Sequence, residues 1–247
     1  MKRLLILGGT SEARLLAQEA LAAHGQSLDV ITSWAGRTGR APDVAGLTRV
    51  GGFGGTAGLV DYIKTETIDM VIDATHPFAE TISDHAYDAC VIAEVPRLLL
   101  VRPPWRMPPD AKWVDVEDMA AAAEAIAQFA RRAFLSTGKQ TIEAFTEVEN
   151  VWLLVRLIDP PPEPLALTDY EITCGRPPFS LADEKSLMQT HNIDTLVSKS
   201  SGGEMPAKIV AAVEMQLPIV LVAPPPPPPG NRATSIADAL AWIKQQL

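Results

Sequence analysis

Short aliphatic runs alternate with amphipathic stretches along the whole chain, and that alternation leaves few folds open. Strands are expected at Leu4–Leu7, Val30–Thr32, Thr48–Val50, Met70–Asp73, Arg97–Val101, Ala133–Leu135, Val151–Leu157, Thr195–Val197 and Ile219–Val222. Helical patterns fill Glu12–Ala22, Ala57–Thr65, Ala79–Ala93, Glu117–Ala130, Thr141–Glu147, Leu181–Thr190, Met205–Met215 and Ser235–Gln246. An uninterrupted apolar run is a strand buried on both faces, and a helix after nearly every such run is what a parallel sheet requires. The alternation breaks at Arg102-Pro103-Pro104-Trp105-Arg106-Met107-Pro108-Pro109, where proline removes donors and fixes φ. The expected fold is therefore α/β, with two Rossmann-like parallel-sheet halves, residues 1–102 and 103–247, and an interdomain cleft. Two further proline runs, Pro160–Pro164 and Pro224–Pro229, read as stiff loops.

Composition narrows the function classes. A chain of 247 residues can bury real cores in two small domains. A formal charge of −9 argues against nucleic acid and anionic membranes, which both reward a basic surface. No apolar run approaches the ~18 residues that span a bilayer. Met1-Lys2-Arg3, followed by four aliphatic residues and a double glycine, resembles no signal peptide, so a cytoplasmic location is expected. Cys90 and Cys174 lack metal-ligand spacing and read as reduced thiols; no metal is expected.

In an open parallel sheet, ligands bind beyond the carboxyl ends of the strands, so the loops there carry the chemistry. The first, Leu7-Gly8-Gly9-Thr10-Ser11-Glu12-Ala13, runs from strand through a glycine turn into a helix. Such a turn offers unpaired N–H groups and the positive end of a helix dipole to a pyrophosphate. Thr10 stands where the dinucleotide fingerprint has its middle glycine, and Thr10 and Ser11 can supply hydroxyl donors instead; the plainer alternative makes Ser11 a helix cap. A pocket for NAD usually has an acidic residue at the second strand's exit, about 20 residues after the glycines. Asp29 sits at that strand's entrance instead, and the exit reads Thr32-Ser33-Trp34-Ala35-Gly36-Arg37. Thr32, Ser33 and Arg37 form a cradle for a 2′-phosphate, which selects NADPH, unless Arg37 is only a solvated loop charge. Gly51-Gly52-Phe53-Gly54-Gly55-Thr56 suits close approach to a flat ligand or simply shapes a loop. Asp73-Ala74-Thr75-His76-Pro77-Phe78-Ala79 places an imidazole at the sheet edge, either for proton traffic or as a structural cap. Leu135-Ser136-Thr137-Gly138-Lys139-Gln140 repeats the opening design without the upstream glycine of a P-loop. Val197-Ser198-Lys199-Ser200-Ser201-Gly202-Gly203-Glu204 adds a lysine, hydroxyls and a glycine pair before a helix, a loop built for an anion.

Together, Gly-Gly-Thr-Ser-Glu-Ala at 8–13, Asp-Ala-Thr-His-Pro-Phe-Ala at 73–79, Arg102-Pro103-Pro104-Trp105, Thr137-Gly138 and Lys199–Gly203 resemble the precorrin-6A reductase family of cobalamin biosynthesis. The resemblance spans nearly the whole chain, the Pro224–Pro229 run excepted. It implies an NADPH-dependent reduction of one macrocycle double bond, giving precorrin-6B, on a metal-free substrate in the aerobic branch or a cobalt-containing one in the anaerobic branch. Residues 1–102 then form the NADP-binding domain, and 103–247 contribute to the substrate site. Thr75, Ser200, Gly202 and Gly203 join Gly8, Gly9, Thr10, Ser11, Thr32, Ser33 and Arg37 on the cofactor. The substrate, a polycarboxylate macrocycle, falls to Arg102, Trp105, Thr137, Gly138 and Lys139. Lys199 is the first candidate for polarising the acceptor or holding a carboxylate, His76 the second, and water a third source of the proton. Two other functions compete. A short-chain-type dehydrogenase or epimerase needs a Tyr-x-x-x-Lys pair, and Tyr62, Tyr87 and Tyr170 are followed at that spacing by Glu66, Val91 and Cys174. An NADP-binding redox sensor would leave the Lys199–Gly203 loop without a purpose.

Overall fold

The computed structural model describes residues 1–35 and 45–247. In chain order the elements are β1 (Lys2–Leu7), α1 (Ser11–His24), β2 (Leu28–Trp34), β3 (Leu47–Val50), α2 (Gly55–Thr65), β4 (Met70–Asp73), α3 (Glu80–Ala93) and β5 (Arg97–Leu100). There follow β6 (Trp113–Val116), α4 (Met119–Phe129), β7 (Arg132–Leu135), a 3-10 helix (Lys139–Phe145), β8 (Trp152–Leu157), β9 (Tyr170–Cys174) and α5 (Leu181–Thr190). The chain closes with β10 (Thr195–Lys199), α6 (Ala207–Glu214), β11 (Ile219–Val222), β12 (Asn231–Ala233) and α7 (Ile236–Gln246). Every expected strand and helix is present, and β6, β9 and β12 are additional.

Two compact units result: Met1–Pro103 with Pro225–Leu247, and Pro104–Pro224. Where the sequence divides the chain into residues 1–102 and 103–247, Pro225–Leu247 groups with the first unit. The reason is pairing and packing. β12 extends the first sheet beside β5, and α7 buries Ala239, Trp242 and Ile243 in the same core as Leu98, Leu100 and the inner face of α1. The first sheet runs β3-β2-β1-β4-β5-β12 and the second β9-β8-β7-β10-β11-β6, all parallel among the described residues. Both orders are that of a doubly wound sheet. Each half of the chain thus repeats one plan, but its final strand and helix join the other half's sheet: β6 follows β5 and pairs with β11, while β12 follows β11 and pairs with β5.

The central strands fold as their apolar runs dictate. Leu4 and Ile6 pack with α1 and α7, and Leu5 and Leu7 face Leu59, Ile63 and Ala89 of α2 and α3. In the second unit Phe134, Leu154, Leu196 and Ile219 pack against Met188 of α5 and Ile209 and Ala212 of α6. A polar pair is embedded there: Arg156 donates to both carboxylate oxygens of Glu184 at 2.6 and 2.9 Å, with Glu184 buried. No helix among the described residues is long and apolar enough to cross a membrane.

Candidate functional site

In the first unit the strand order reverses between β1 and β4, and the loops after these strands define the binding edge. Gly8 donates to the Ser33 carbonyl at 2.9 Å, which holds the turn against the end of β2. A Cβ on Gly8 would lie 3.2 Å from that carbonyl and 3.2 Å from the Thr32 methyl, so the turn sits this low only as glycine. Gly9 has φ +120° and open space where a side chain would project, as backbone approach to a ligand requires. Thr10, expected to face the phosphates, bonds within the protein. It caps α1 by accepting from Ala13 N at 3.1 Å and donates to the Ala74 carbonyl at 2.7 Å, so its hydroxyl is spent tying the β1 loop to the β4 loop. Ser11, exposed in the first turn of α1, carries the accessible hydroxyl and meets Glu12 at 3.0 Å. Glu12 is paired with Arg102 at 2.7 Å, which offsets its repulsion of an anion at the helix start.

The tip of β2 also differs from expectation. Thr32 is wholly buried and paired with Ile6, its methyl beneath Gly8 and its hydroxyl without a partner among the described residues. Ser33 remains, and the cation beside it is Arg49, from β3: its guanidinium donates to Ser33 Oγ at 2.8 Å and to the carbonyls of Gly51 and Gly52 at 2.9 and 3.1 Å. Phe53 lies under it at 3.8 Å and Tyr62 at 5.0 Å. Burial pulls Arg49 below its ordinary value, and the same environment raises the Tyr62 phenol. Arg37 lies outside the described residues. The glycine-rich loop at 51–55 is thus a collar around an arginine.

After β4, Asp73 is fully buried and accepts from Thr75 through both N–H and hydroxyl, at 3.1 and 2.7 Å. Thr75 also meets Ser83 at 3.2 Å, so its hydroxyl shapes the loop. Asp73 lies 3.8 Å from the buried Arg97, which donates to the Pro229 carbonyl at 2.7 Å and so anchors the end of the Pro224–Pro229 run. His76 accepts from Phe78 N through Nδ1 at 3.3 Å, which puts a neutral ring's proton on Nε2. Residues 77–78 form a turn, and α3 begins at Glu80.

The second unit reverses its strand order between β7 and β10. Lys199 ends β10; Ser200 N continues the pairing to the Val222 carbonyl at 2.8 Å, and Gly202 and Gly203 turn the chain with φ 63° and 77°. Ser136 ends β7 and donates twice to the Val197 carbonyl, from N at 3.1 Å and Oγ at 2.9 Å. Thr137 is buried and accepts from Thr141 at 2.8 Å, while Gly138, φ +86°, has open space around it. Lys139 is exposed and lines a cavity of ≈ 360 Å³ with Glu143 and residues 161–166. Trp105 packs on the second unit's core with its indole N–H buried and without an acceptor among the described residues. Lys208, in α6, donates to Ser136 Oγ at 2.9 Å and to its carbonyl at 3.3 Å. Arg49 and Lys208 escape sequence reading because one sits inside a strand and the other in a helix, where a cation signals only a solvated face. Among the described residues no group of three or more His, Cys, Asp or Glu is placed to hold a metal.

With this geometry established, comparison with known proteins is specific. The model of the family Precorrin-6x reductase CbiJ/CobK matches residues 3–244. A precorrin-6A reductase of Rhodococcus erythropolis is 39% identical over 246 residues, 98% of each chain. That of Rhodobacter capsulatus is 40% identical over 245 residues, 98% of this chain and 96% of the relative. A cobalt-precorrin-6A reductase of Priestia megaterium is 27% identical over 235 residues, 89% of each. A solved structure of a CobK precorrin-6A reductase superposes with TM-score 0.91 at 39% identity, covering 100% of this chain and 97% of the other. Matched along its full length in sequence and in fold, the chain belongs to the precorrin-6x reductase family.

Proposed function

We propose that the chain is an NADPH-dependent reductase that converts precorrin-6A to precorrin-6B by saturating one double bond of the macrocycle. The observation that carries the cofactor assignment is the pairing of an open glycine turn at the start of α1 with a serine–arginine donor pair at the tip of β2. Gly8, Gly9, Ser11 and the first N–H groups of α1 fit a pyrophosphate; Ser33 and Arg49 fit a 2′-phosphate, and no carboxylate bonds to Arg49 among the described residues. Identity of 39–40% to precorrin-6A reductases, against 27% to a cobalt-precorrin-6A reductase, supports the metal-free substrate.

When bound, NADPH supplies the hydride. The protein's own residues bind, orient and deliver charge. Thr10 and Thr75 fix the two loops that frame the cofactor edge. Lys199 holds a substrate carboxylate or stabilises the charge that develops on the reduced ring, and Gly138 and Lys139 offer further donors to the acidic arms. The positive-φ glycines 202 and 203 suit a turn whose N–H groups meet an anion, and the Ser200 hydroxyl is a further donor there. His76 is the side-chain alternative to water as proton source.

The test is direct: purified protein consumes NADPH only when precorrin-6A is added, and yields a product heavier by one H2. Failure to reduce precorrin-6A under saturating NADPH would overturn the assignment. Within it, Ser11→Ala is expected to raise the NADPH Kd by about ten- to a hundredfold, the cost of one lost donor to a charged acceptor. Fluorescence titration reads this, and unchanged affinity would leave Ser11 no role on the phosphate.

A further inference from the structure

Lys208 is a half-buried residue with an enclosed ammonium that no step above uses, and its surroundings are unusual for a cation. Facing it are Glu184 from α5, Arg156 from β8 and Lys199 from β10. The carboxylate that would ordinarily compensate a buried lysine, Glu184, is taken up by both terminal nitrogens of Arg156. On the neighbouring surface of α6 and α5 the pair Glu214–Lys185 is self-contained. What holds the Lys208 ammonium is Ser136, through hydroxyl and carbonyl together, and Ser136 in turn bonds twice to the Val197 carbonyl. A chain of hydrogen bonds therefore runs from α6 through the end of β7 to β10, two residues short of Lys199.

We propose that Lys208 is a positioning residue for the reduction: its ammonium clamps Ser136 and thereby fixes the end of β7 against the end of β10, where Lys199 and the 200–203 loop begin. This rests on the assignment of Lys199 to the reaction. Burial, with Arg156 and Lys199 nearby, lowers Lys208 to about 8, against the opposing pull of Glu184. Two consequences of opposite sign follow. Below that value the clamp is charged and strong; as pH rises through about 8 the ammonium loses its proton, the bonds to Ser136 weaken, and turnover falls. For stability the sign reverses. The folded state releases this proton more readily than the unfolded chain, so the charged lysine costs stability below pH 8, and that cost is relieved as pH rises toward the ordinary lysine value.

The experiment compares parent, Lys208→Met, Ser136→Ala and the double variant, each as the full chain, by steady-state reduction of precorrin-6A across pH and by thermal unfolding at pH 7. Expected for Lys208→Met are a kcat lowered about tenfold, loss of the alkaline limb near pH 8, and a melting temperature no lower than the parent's. The double variant is expected to be no slower than the slower single variant. A Lys208→Met protein with parental kcat and parental pH profile overturns the proposal, as does a rate loss that merely follows a lowered melting temperature. If Lys208→Met does not fold, Ser136→Ala decides alone: it keeps the lysine but removes the hydroxyl link, and a parental kcat overturns the clamp. Parent protein inactive on precorrin-6A would instead refute the reaction assignment, and the parent's own lysine titration, read by NMR, would then test the clamp without turnover.

Discussion

Lys199→Ala lowers the rate of precorrin-6A reduction by about 10²–10³-fold while leaving NADPH affinity within about twofold. The lysine ends the strand at the second unit's switch point, and the substrate proposed for it is a polycarboxylate whose conjugated ring takes on negative charge as hydride arrives. A cation placed there in advance stabilises that charge more than it stabilises the ground state, so the loss falls on turnover rather than on cofactor binding. Single-turnover reduction at saturating NADPH isolates the step. A variant that reduces the ring at the parental rate would remove Lys199 from the reaction and leave His76 or water as the remaining source of assistance.

Arg49→Ala raises the Kd of NADPH by about a hundredfold and leaves that of NADH nearly unchanged. Its guanidinium is already fixed by Ser33, by the Gly51 and Gly52 carbonyls and by the Phe53 ring, so little ordering remains to oppose phosphate binding. Lysine at this position retains charge but not the planar fork, and recovers only part of the affinity. Parallel titrations with the two cofactors separate the roles: equal weakening of both would make Arg49 a loop support instead of a 2′-phosphate ligand.

The central strands were legible because each is an apolar run buried on both faces. The strands that escaped reading, β6, β9 and β12, are all at sheet edges, where Trp113, Val114, Tyr170, Glu171, Asn231 and Arg232 are exposed or half-buried and no apolar run marks the pairing. The glycine turn at 8–9 was readable because its chemistry is local. The roles of Thr10 and Thr75 were not legible because a hydroxyl near a helix start serves a ligand or the backbone equally well, and their partners, the Ala74 carbonyl and the Asp73 carboxylate, are supplied by the fold. Arg49 and Lys208 were invisible for the converse reason: their partners, Ser33 and Ser136, are distant in sequence.

The exchange of final strands also bears on how the protein is made. As the chain leaves the ribosome, its first hundred residues hold β1 to β5 but neither β12 nor α7, so the β5 edge stays unpaired and Leu98 and Leu100 lack the cover later given by Ala233, Ala239 and Trp242. Pro104–Pro224, by contrast, is continuous in sequence and has every strand of its sheet by the time β11 emerges. Synthesis from the amino terminus would ordinarily finish the first domain first. Here the second-born unit can close while the first-born waits for the last two dozen residues, and a chaperone that shields exposed sheet edges has its longest task at the amino-terminal half.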